Sequence, residues 1–293
     1  MRDLAVCPLC GNADSQELYR FQPARWIPGR VVRCSACQTT YKIPSDRAKP
    51  LAEYYDQSYA ELDGWNQEEA AERTLKKIRA AIVGTVGIPS LLLDVGCGSG
   101  VFLSLAQQSG FDVTGVELNP TLADKASRKA RTEVVVGDFM SVDLGDQQFD
   151  VITLLDLIEH LPDPLAALKR CCQLLKPDGY LVAYTPNHSG LIVQIANLLY
   201  RLTRGRVAEP IAEIFDCTHV VFFDVRTLRL AIIKAGFSVE KTMLLKYDPS
   251  RSNQATGISA LGLRAIEAIS PPINGQFRIL MFARKRSIIW SYQ

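Results

Sequence analysis

The sequence lacks three features that would place it in a specialised class of protein. Its formal net charge is only +2, too small to indicate a polyanionic partner such as nucleic acid. Its best candidate for a membrane segment, GLIVQIANLLYRL at 190–202, is well short of the roughly 20 apolar residues that span a bilayer. The N-terminal stretch MRDLAVCPLC has neither the apolar core nor the cleavage site of a signal peptide. We therefore expect a cytoplasmic protein without a transmembrane segment.

The composition changes twice along the chain. With 293 residues, 47% of them hydrophobic and 22% charged, the chain has room for one α/β domain and a small accessory unit. Residues 1–44 are rich in cysteine, and residues 45–90 are polar with a helical pattern that begins near Asn66. Residues 91–293 alternate between apolar runs and helical stretches. We predict three corresponding units, the third with a substrate-covering insertion at 190–223.

The third unit has the pattern of a parallel sheet. Predicted strands alternate with predicted helices, which indicates crossover connections and a sheet covered on both faces. One helix, DVRTLRLAIIKAGF, has Asp224 as its predicted N-cap and Gly236 as its end. The predicted strands are LLLDV (91–95), FDVTGVEL (111–118), TEVVVGD (132–138), FDVITLLD (149–156), GYLVAYTP (179–186), SVEKTMLLKY (238–247) and FRILMFARK (277–285).

A glycine-rich turn, LLLDVGCGSG, follows the first of these strands. A strand that leads through such a turn into a helix is typical of a nucleotide-type cofactor site. Here Gly96, Gly98 and Gly100 alternate instead of following the dinucleotide pattern G-x-G-x-x-G, and Asp94 precedes them. A carboxylate at that point would repel a pyrophosphate but suits a ligand with an ammonium or sulfonium charge. The turn therefore favours S-adenosylmethionine.

Acidic residues also end the next two strands. Glu117 lies about twenty residues beyond the first glycine, where a carboxylate can accept both hydroxyls of a ribose. NAD enzymes use the same arrangement, so Glu117 indicates an adenosine ligand without distinguishing the two cofactors. Asp138 can accept a hydrogen bond from an adenine amine, and Phe139 can either pack on the base or fill the core.

The motif series DVGCGSG, GVELNP, VVGDF, FDVITLLDLIEHL and LLKPDGYLVAYTPN resembles that of class I S-adenosylmethionine-dependent methyltransferases, over roughly residues 75–285. The resemblance implies a Rossmann-like sheet of seven strands, the last of them antiparallel. It also implies a site in which Asp94, Gly96 and Gly98 hold the methionine part, Glu117 the ribose, Asp138 and Phe139 the adenine, with Leu155 or Asp156 nearby.

The chain contains three histidines, His160, His188 and His219, which we expect to border the acceptor pocket. We take His160 and His219 as candidate catalytic bases, while a capping or packed role stays open for each. Asp156, Glu159 and His160 would share a face if their segment is helical. Such a cluster can bind a divalent ion or form a base with its orienting acid.

Two C-x-x-C pairs, Cys7/Cys10 and Cys34/Cys37, predict a structural zinc site in the N-terminal unit. A unit of about 40 residues can hardly fold on its own core, and the alternative is a pair of turns without metal. The unit also resembles the zinc-binding N-terminal unit of bacterial small-molecule methyltransferases. A nucleic-acid grip stays open because the unit carries Arg20, Phe21, Arg25, Trp26, Arg30 and Arg33.

The stretch at 190–202 has apolar residues at helical spacing, with Gln194, Asn197 and Arg201 off the apolar face. It can be a core helix, a lid over the acceptor or, aided by Arg204 and Arg206, a helix that contacts a membrane surface.

The resemblance implies methyl transfer from S-adenosylmethionine to a small-molecule acceptor, most simply an oxygen on a sugar or a lipid-linked metabolite. The alternatives are an RNA methyltransferase that grips its substrate with the zinc unit, and a binding protein of this fold without catalysis. The sequence leaves the oligomeric state open.

Overall fold

The computed structural model describes residues 6–21, 27–45, 67–88, 91–215, 218–246 and 265–286. The strands are β1 (Ser15–Arg20), β2 (Gly29–Cys34), β3 (Thr40–Pro44), β4 (Leu91–Val95), β5 (Asp112–Glu117), β6 (Val134–Val136), β7 (Phe149–Leu155), β8 (Leu175–Pro186), β9 (Val221–Phe222), β10 (Phe237–Leu245) and β11 (Arg278–Lys285). The α-helices are α1 (Gln67–Val86), α2 (Val101–Gln107), α3 (Pro120–Ala130), α4 (Pro164–Leu174), α5 (Leu191–Leu202), α6 (Glu209–Phe215) and α7 (Val225–Lys234). Short 3₁₀ helices cover Ile158–His160 and Pro271–Ile273, and residues 265–269 are helical.

Seven strands form one mixed sheet in the order β10-β11-β8-β7-β4-β5-β6. The strands from β4 to β8 pair in parallel, while β11 lies antiparallel between β8 and β10. The parallel pairings bring the carboxyl ends of β4, β5, β6, β7 and β8 to one edge. This confirms the predicted α/β fold with seven strands and an antiparallel last strand.

Helices cover both faces of this sheet because successive side chains of each strand point to opposite sides. Along β4, Leu92 packs with Ile78 and Phe102 of α1 and α2, whereas Leu93 packs with Leu168 of α4 on the other face. All of these side chains are almost fully buried. The alternation of adjacent leucines explains why the strand is apolar throughout rather than at every second position.

Side-chain caps set the starts of three helices. Asn119 accepts hydrogen bonds from the first turn of α3, and Asp163 from that of α4, with a proline at the first helical position of each. Asp224 and Thr227 form a capping box at α7, as the sequence predicted for Asp224, and Gly236 follows the helix at φ +101°. Asn66 lies outside the described residues.

The N-terminal unit is joined to the rest of the chain by a second, four-stranded sheet of order β1-β2-β3-β9. Its fourth strand comes from the predicted insertion at 190–223, and β3 pairs with it antiparallel. Helix α7 adds two contacts: the side chains of Arg226 and Lys234 donate hydrogen bonds to the carbonyls of Cys37 and Leu9, at 2.9 and 3.1 Å. The cysteine unit therefore shares a sheet with the larger part and packs against α7.

Several elements differ from the sequence expectations. Helix α4 ends at Leu174, and β8 begins at Leu175, before the predicted strand at 179–186. Helix α6 and strand β9 were not predicted, since both are too short to show a clear periodicity. Within the described segments, no helix combines the length and hydropathy needed to cross a bilayer.

We predict that Gly100→Ala destabilises the fold, because Gly100 has φ +78° and an added Cβ would lie 2.6 Å from the Cα of Ala126 in α3. Positive φ and a backbone clash together should cost about 2 kcal/mol or more in the free energy of unfolding. The matched control is Gly84→Ala, at an exposed position of α1 with no atom within 4 Å of the added Cβ. It should stabilise by about 0.5 kcal/mol. Urea unfolding measures both, and equal midpoints for Gly100→Ala and wild type would contradict the prediction.

Candidate functional site

The glycine turn after β4 takes a backbone path that other residues rarely adopt. Gly96, Gly98 and Gly100 all have positive φ, at +70°, +55° and +78°. The backbone N–H groups of Gly96 and Cys97 both donate to the carbonyl of Val116 in the neighbouring strand, at 2.8 and 3.2 Å. A Cβ at Gly98 would meet no atom within 4 Å. The turn is therefore fixed on the side of β5, with open space beside Gly98.

Asp94 is a buried carboxylate at the root of this turn. It is 2% exposed, and Thr153 Oγ1 of β7 donates to its Oδ1 at 2.6 Å. Burial raises the pKa of Asp94 to about 7, and the nearby charge of Glu117 adds to this rise. The hydrogen bond from Thr153 acts in the opposite direction and lowers the pKa. A cationic ligand beside this buried carboxylate would lower its pKa and favour its charged form.

Glu117 braces the turn from the end of β5. Its Oε2 accepts from the backbone N–H of Gly98 and its Oε1 from that of Asn119, both at 2.9 Å. Each carboxylate oxygen retains a second lone pair, so ribose hydroxyls can still donate to it. The structure therefore gives Glu117 a bracing role that sequence reasoning missed, alongside the predicted contact with a ribose.

Asp138 and Phe139 follow β6 and have different surroundings. Asp138 is exposed, and its Oδ1 accepts from the N–H of Met140 at 2.9 Å. Phe139 is 5% exposed and belongs to the core, with the Arg170 guanidinium 5.3 Å from its ring centre. The core interpretation of Phe139 thus accounts for its position, and its contact with adenine stays a prediction.

Two exposed apolar side chains near these acids were missed by the sequence reasoning. Leu118 follows Glu117 and is 51% exposed, and Met140 follows Phe139 and is 39% exposed. Large apolar side chains left open at the carboxyl edge of a sheet can pack on a flat base. Their position directly after acidic strand ends was the signal that could have found them.

Asp156 directly follows β7 and has a left-handed conformation, with φ +53°. Its N–H donates to the carbonyl of Tyr184 in β8, and its Oδ1 pairs with the guanidinium of Arg278, which is 9% exposed. Only Ile158–His160 forms a 3₁₀ turn, so the expected helical face of Asp156, Glu159 and His160 does not form. Leu155 is partly exposed at the end of the same strand. Arg278 was not predicted, because its partner lies more than a hundred residues away.

Glu159 is a buried acid in the 3₁₀ turn after β7. It is 1% exposed, accepts from Thr185 Oγ1 at 2.9 Å, and its backbone carbonyl accepts from the N–H of Val220 at 2.9 Å. Burial, with the charge of Asp156 as the next cause, raises the pKa of Glu159 to about 8. At neutral pH the group is therefore mostly neutral.

The structure brings the three histidines together. The rings of His160 and His219 meet edge to face with centroids 4.7 Å apart, and those of His188 and His219 are 6.2 Å apart. Each of the three residues is partly exposed, but the Nδ1 atom of every ring and the Nε2 atom of His188 are buried. Burial lowers the pKa of His160 to about 4 and of His188 to about 3, and that of His219 lies well below its ordinary value. All three are neutral imidazoles at pH 7, the form that can accept a proton.

Aromatic rings and cations surround this histidine cluster. The rings near His188 belong to Phe215, Phe222 and Phe277, at centroid distances of 5.4, 5.0 and 6.1 Å. Arg278 and the buried Lys42 of β3 both lower the pKa of His219 through their positive charge, after burial and the other two histidines.

The group of possible metal ligands near the histidines differs from the group that the sequence suggested, which was Asp156, Glu159 and His160. Ligand atoms of Glu159, His160 and His219 lie within 4.8 Å of one another, whereas Asp156 is engaged by Arg278. The positive charges of Arg278 and Lys42 oppose a further cation at this point. These two cations therefore count against a metal ion at the histidine cluster.

The four cysteines of the N-terminal unit come together as the sequence predicted. The Sγ atoms of Cys7 and Cys37 are 3.4 Å apart, those of Cys10 and Cys34 are 3.5 Å apart, and all four lie within 4.8 Å of one another. Tetrahedral zinc with Zn–S bonds of about 2.3 Å separates its sulfurs by about 3.8 Å. The donor set and spacing therefore fit a structural zinc ion. The N–H of Cys37 points to Cys34 Sγ at 3.5 Å, which suits a thiolate.

The described arginines of this unit do not form an open basic face. Arg20 makes a two-bond pair with Glu17, at 3.0 and 2.8 Å, and Arg30 lies 3.9 Å from the same carboxylate. Arg25 and Trp26 lie outside the described residues. Arg20 and Arg30 therefore share one acid, and Arg33 lies 3.5 Å from the hydroxyl of Thr40.

The comparisons with known proteins agree with the described fold. A family model described as a methyltransferase domain matches residues 67–242, more than half of the chain. Among curated proteins, a ubiquinone biosynthesis O-methyltransferase of Actinobacillus pleuropneumoniae is 34% identical over 108 residues, which cover 33% of this chain and 46% of the relative. One of the same name from Coxiella burnetii is 36% identical over 103 residues, covering 33% and 44%. The chain spans less than half of the length of these relatives.

Two solved structures have the same fold. A methyltransferase of Thermotoga maritima, described as S-adenosylmethionine-dependent and a possible histamine N-methyltransferase, has a TM-score of 0.56 and 18% identity over 81% of this chain and 100% of its own. An S-adenosylmethionine-dependent methyltransferase of Archaeoglobus fulgidus has a TM-score of 0.53 and 24% identity over 79% and 100%. At these identities the likeness shows the fold alone.

We predict that Cys34→Ser lowers the zinc content of the purified protein and its thermal stability, because one of four metal-binding thiolates is lost. The matched control is Cys172→Ser, a partly buried cysteine of α4 outside the cluster, which should keep the zinc. Elemental analysis with thermal unfolding measures both effects. A wild-type protein purified without zinc, or equal zinc in both variants, would contradict the prediction.

Proposed function

Since the chain belongs to the methyltransferase-domain family, we propose that it transfers the methyl group of S-adenosylmethionine to an oxygen of a small-molecule acceptor. The observation that carries the proposal is the presence of two sites at one sheet edge. Asp94, Glu117 and the glycine turn follow β4 and β5, and the three neutral histidines lie beyond β7 and β8. One side suits a cationic adenosine ligand, and the other suits removal of a proton from an acceptor.

On the cofactor side, different residues contact different parts of the ligand. Asp94 supplies a buried negative charge for the ammonium or sulfonium group, and the open backbone at Gly98 lets the ligand approach closely. Glu117 accepts the ribose hydroxyls, and the exposed Asp138 accepts from the adenine amine. When bound, S-adenosylmethionine supplies a methyl group already activated by its sulfonium charge, so orientation of the acceptor is the protein's main task.

On the acceptor side, we assign His219 the role of base and His160 the role of its neighbour that positions it. His160 donates to the backbone carbonyl of Thr218, which fixes its tautomer, and its ring packs against that of His219. The Nδ1 atom of His219 is buried and has no hydrogen-bond partner among the described residues. A general base contributes about 10² to 10⁴ in rate when the acceptor is a hydroxyl, and burial, which lowers the pKa of His219, weakens it as a base in the unliganded protein.

The acceptor we propose carries an apolar part, as a lipid-linked metabolite does. The phenyl rings of Phe215, Phe222 and Phe277 pack around His188 and make its surroundings apolar, although Phe215 and Phe222 are themselves only 4% and 2% exposed. The curated relatives are named for O-methylation in ubiquinone biosynthesis, which supports an oxygen acceptor.

For the cysteine cluster we propose a structural zinc ion. Its task is to hold β1, β2 and β3 together, and β3 in turn pairs with β9, two residues after His219. Zinc would thus support the acceptor side without taking part in the chemistry.

We expect the affinity for S-adenosylmethionine to fall as the pH drops through about 7, because protonation of Asp94 removes the charge that attracts the ligand. Below this pKa the Kd should rise about ten-fold per pH unit, and Asp94→Asn should bind weakly with little pH dependence. Calorimetry from about pH 6 to 8 measures this, with the exposed Asp138→Asn as a control that keeps the slope. An equal slope in Asp94→Asn would refute the assignment.

We expect His219→Asn to lower kcat by about 10² or more while the Kd of S-adenosylmethionine stays unchanged, because the base is lost and the cofactor side is intact. Transfer of a labelled methyl group to catechol, and to a membrane lipid extract, measures the rate. The loss should shrink at high pH, where the hydroxyl ionises without help. A uniform loss at every pH would instead indicate a packing role.

A further inference from the structure

The C-terminal end of α5 presents large apolar side chains to solvent. Leu198, Leu199 and Leu202 are 57%, 42% and 72% exposed. Val207, just beyond the helix, is 43% exposed. Such a group of neighbouring exposed leucines is unusual on a soluble surface and marks a contact site.

The same stretch is basic. Arg201, Arg204 and Arg206 are all exposed, and the sequence from 190 to 208 contains no aspartate or glutamate. We call the three leucines and these three arginines together the α5 surface. Exposed leucines beside unmixed positive charge are the pattern of a helix that lies on an anionic lipid surface.

The inner face of α5 is already occupied. Val193 and Ala196 are 5% and 4% exposed and pack with Tyr19 of β1 and with Ile211 and Phe215 of α6. The core interpretation of this helix therefore explains its first half. Leu198, Leu199 and Leu202, near the end of the helix, are exposed and take no part in that packing.

The α5 surface lies about one helix length from the histidine cluster. Helix α5 follows Gly190, whose N–H donates to the carbonyl of Asn187, next to His188. Its twelve residues span about 18 Å. Phe215, in the layer under α5, has its ring 5.4 Å from that of His188. The surface and the proposed acceptor site therefore belong to one packed layer.

We propose that the α5 surface docks on an anionic phospholipid bilayer, with the leucines at the boundary of headgroups and acyl chains and the arginines on the phosphates. A second copy of the chain fits less well, because a two-fold contact of this surface would bring the arginines of both copies together. The proposal deepens the proposed function and rests on it for its purpose, since a docked protein would meet a lipid-linked acceptor. Docking itself requires neither cofactor nor acceptor.

The test is cosedimentation of the full-length protein with vesicles of phosphatidylcholine, with and without phosphatidylglycerol. We expect binding to the anionic vesicles alone, weakened by salt. Arg201→Gln with Arg204→Gln should weaken it about 25-fold, at about five-fold for each arginine. Leu198→Gln with Leu202→Gln should weaken it at least ten-fold.

The matched controls replace an exposed apolar residue and an exposed arginine by glutamine outside the α5 surface. Ile88→Gln alters a side chain that is 61% exposed, and Arg128→Gln an exposed arginine of α3. Both should bind vesicles as wild type does. Equal binding to neutral and anionic vesicles, or unchanged binding by the α5 variants, would overturn the proposal. So would a dimer that Leu202→Gln dissociates while no vesicle binding is seen.

The outcome is separable from that of the proposed function. A protein that binds anionic vesicles through the α5 surface but transfers no methyl group supports docking and counts against the methyltransferase proposal. A protein that transfers methyl groups to catechol but does not bind vesicles supports the methyltransferase proposal and counts against docking.

Discussion

The arrangement of the histidine cluster depends on one short strand pairing, between β3 and β9. The N–H of Lys42 donates to the carbonyl of Val220, while the N–H of Val220 donates to the carbonyl of Glu159, both at 2.9 Å. Val220 is thus held between the cysteine unit and the 3₁₀ turn that carries His160, and His219 is its neighbour in the chain. A few backbone hydrogen bonds therefore set where two of the three imidazoles meet.

Burial shifts the pKa values of five ionisable groups in these two regions toward the neutral form. It raises the pKa of Asp94 to about 7 and of Glu159 to about 8, and it lowers the pKa of all three histidines. Asp156 and Arg278 face each other as a charged pair between the sites. A ligand of opposite charge can therefore restore the ionised form of a shifted group at this edge of the sheet. A shifted group without such a ligand stays in its neutral form.

The sequence was most informative where structure is set locally. The β4 strand, the glycine turn and the Asp224 cap follow from periodicity, from backbone freedom and from capping within a few residues. It was silent on contacts between distant parts of the chain. The pair of Asp156 with Arg278 and the β3–β9 pairing have no local signal, and Phe139 shows that an aromatic residue beside a site motif can still belong to the core.

The β3–β9 pairing also has a consequence for how the chain folds. Its two strands are about 180 residues apart in the sequence, so β3 cannot complete its sheet until most of the polypeptide exists. Until then its outer edge stays unpaired, which is a state prone to join other chains. During synthesis, the N-terminal unit is therefore the first part to be made and among the last to be finished.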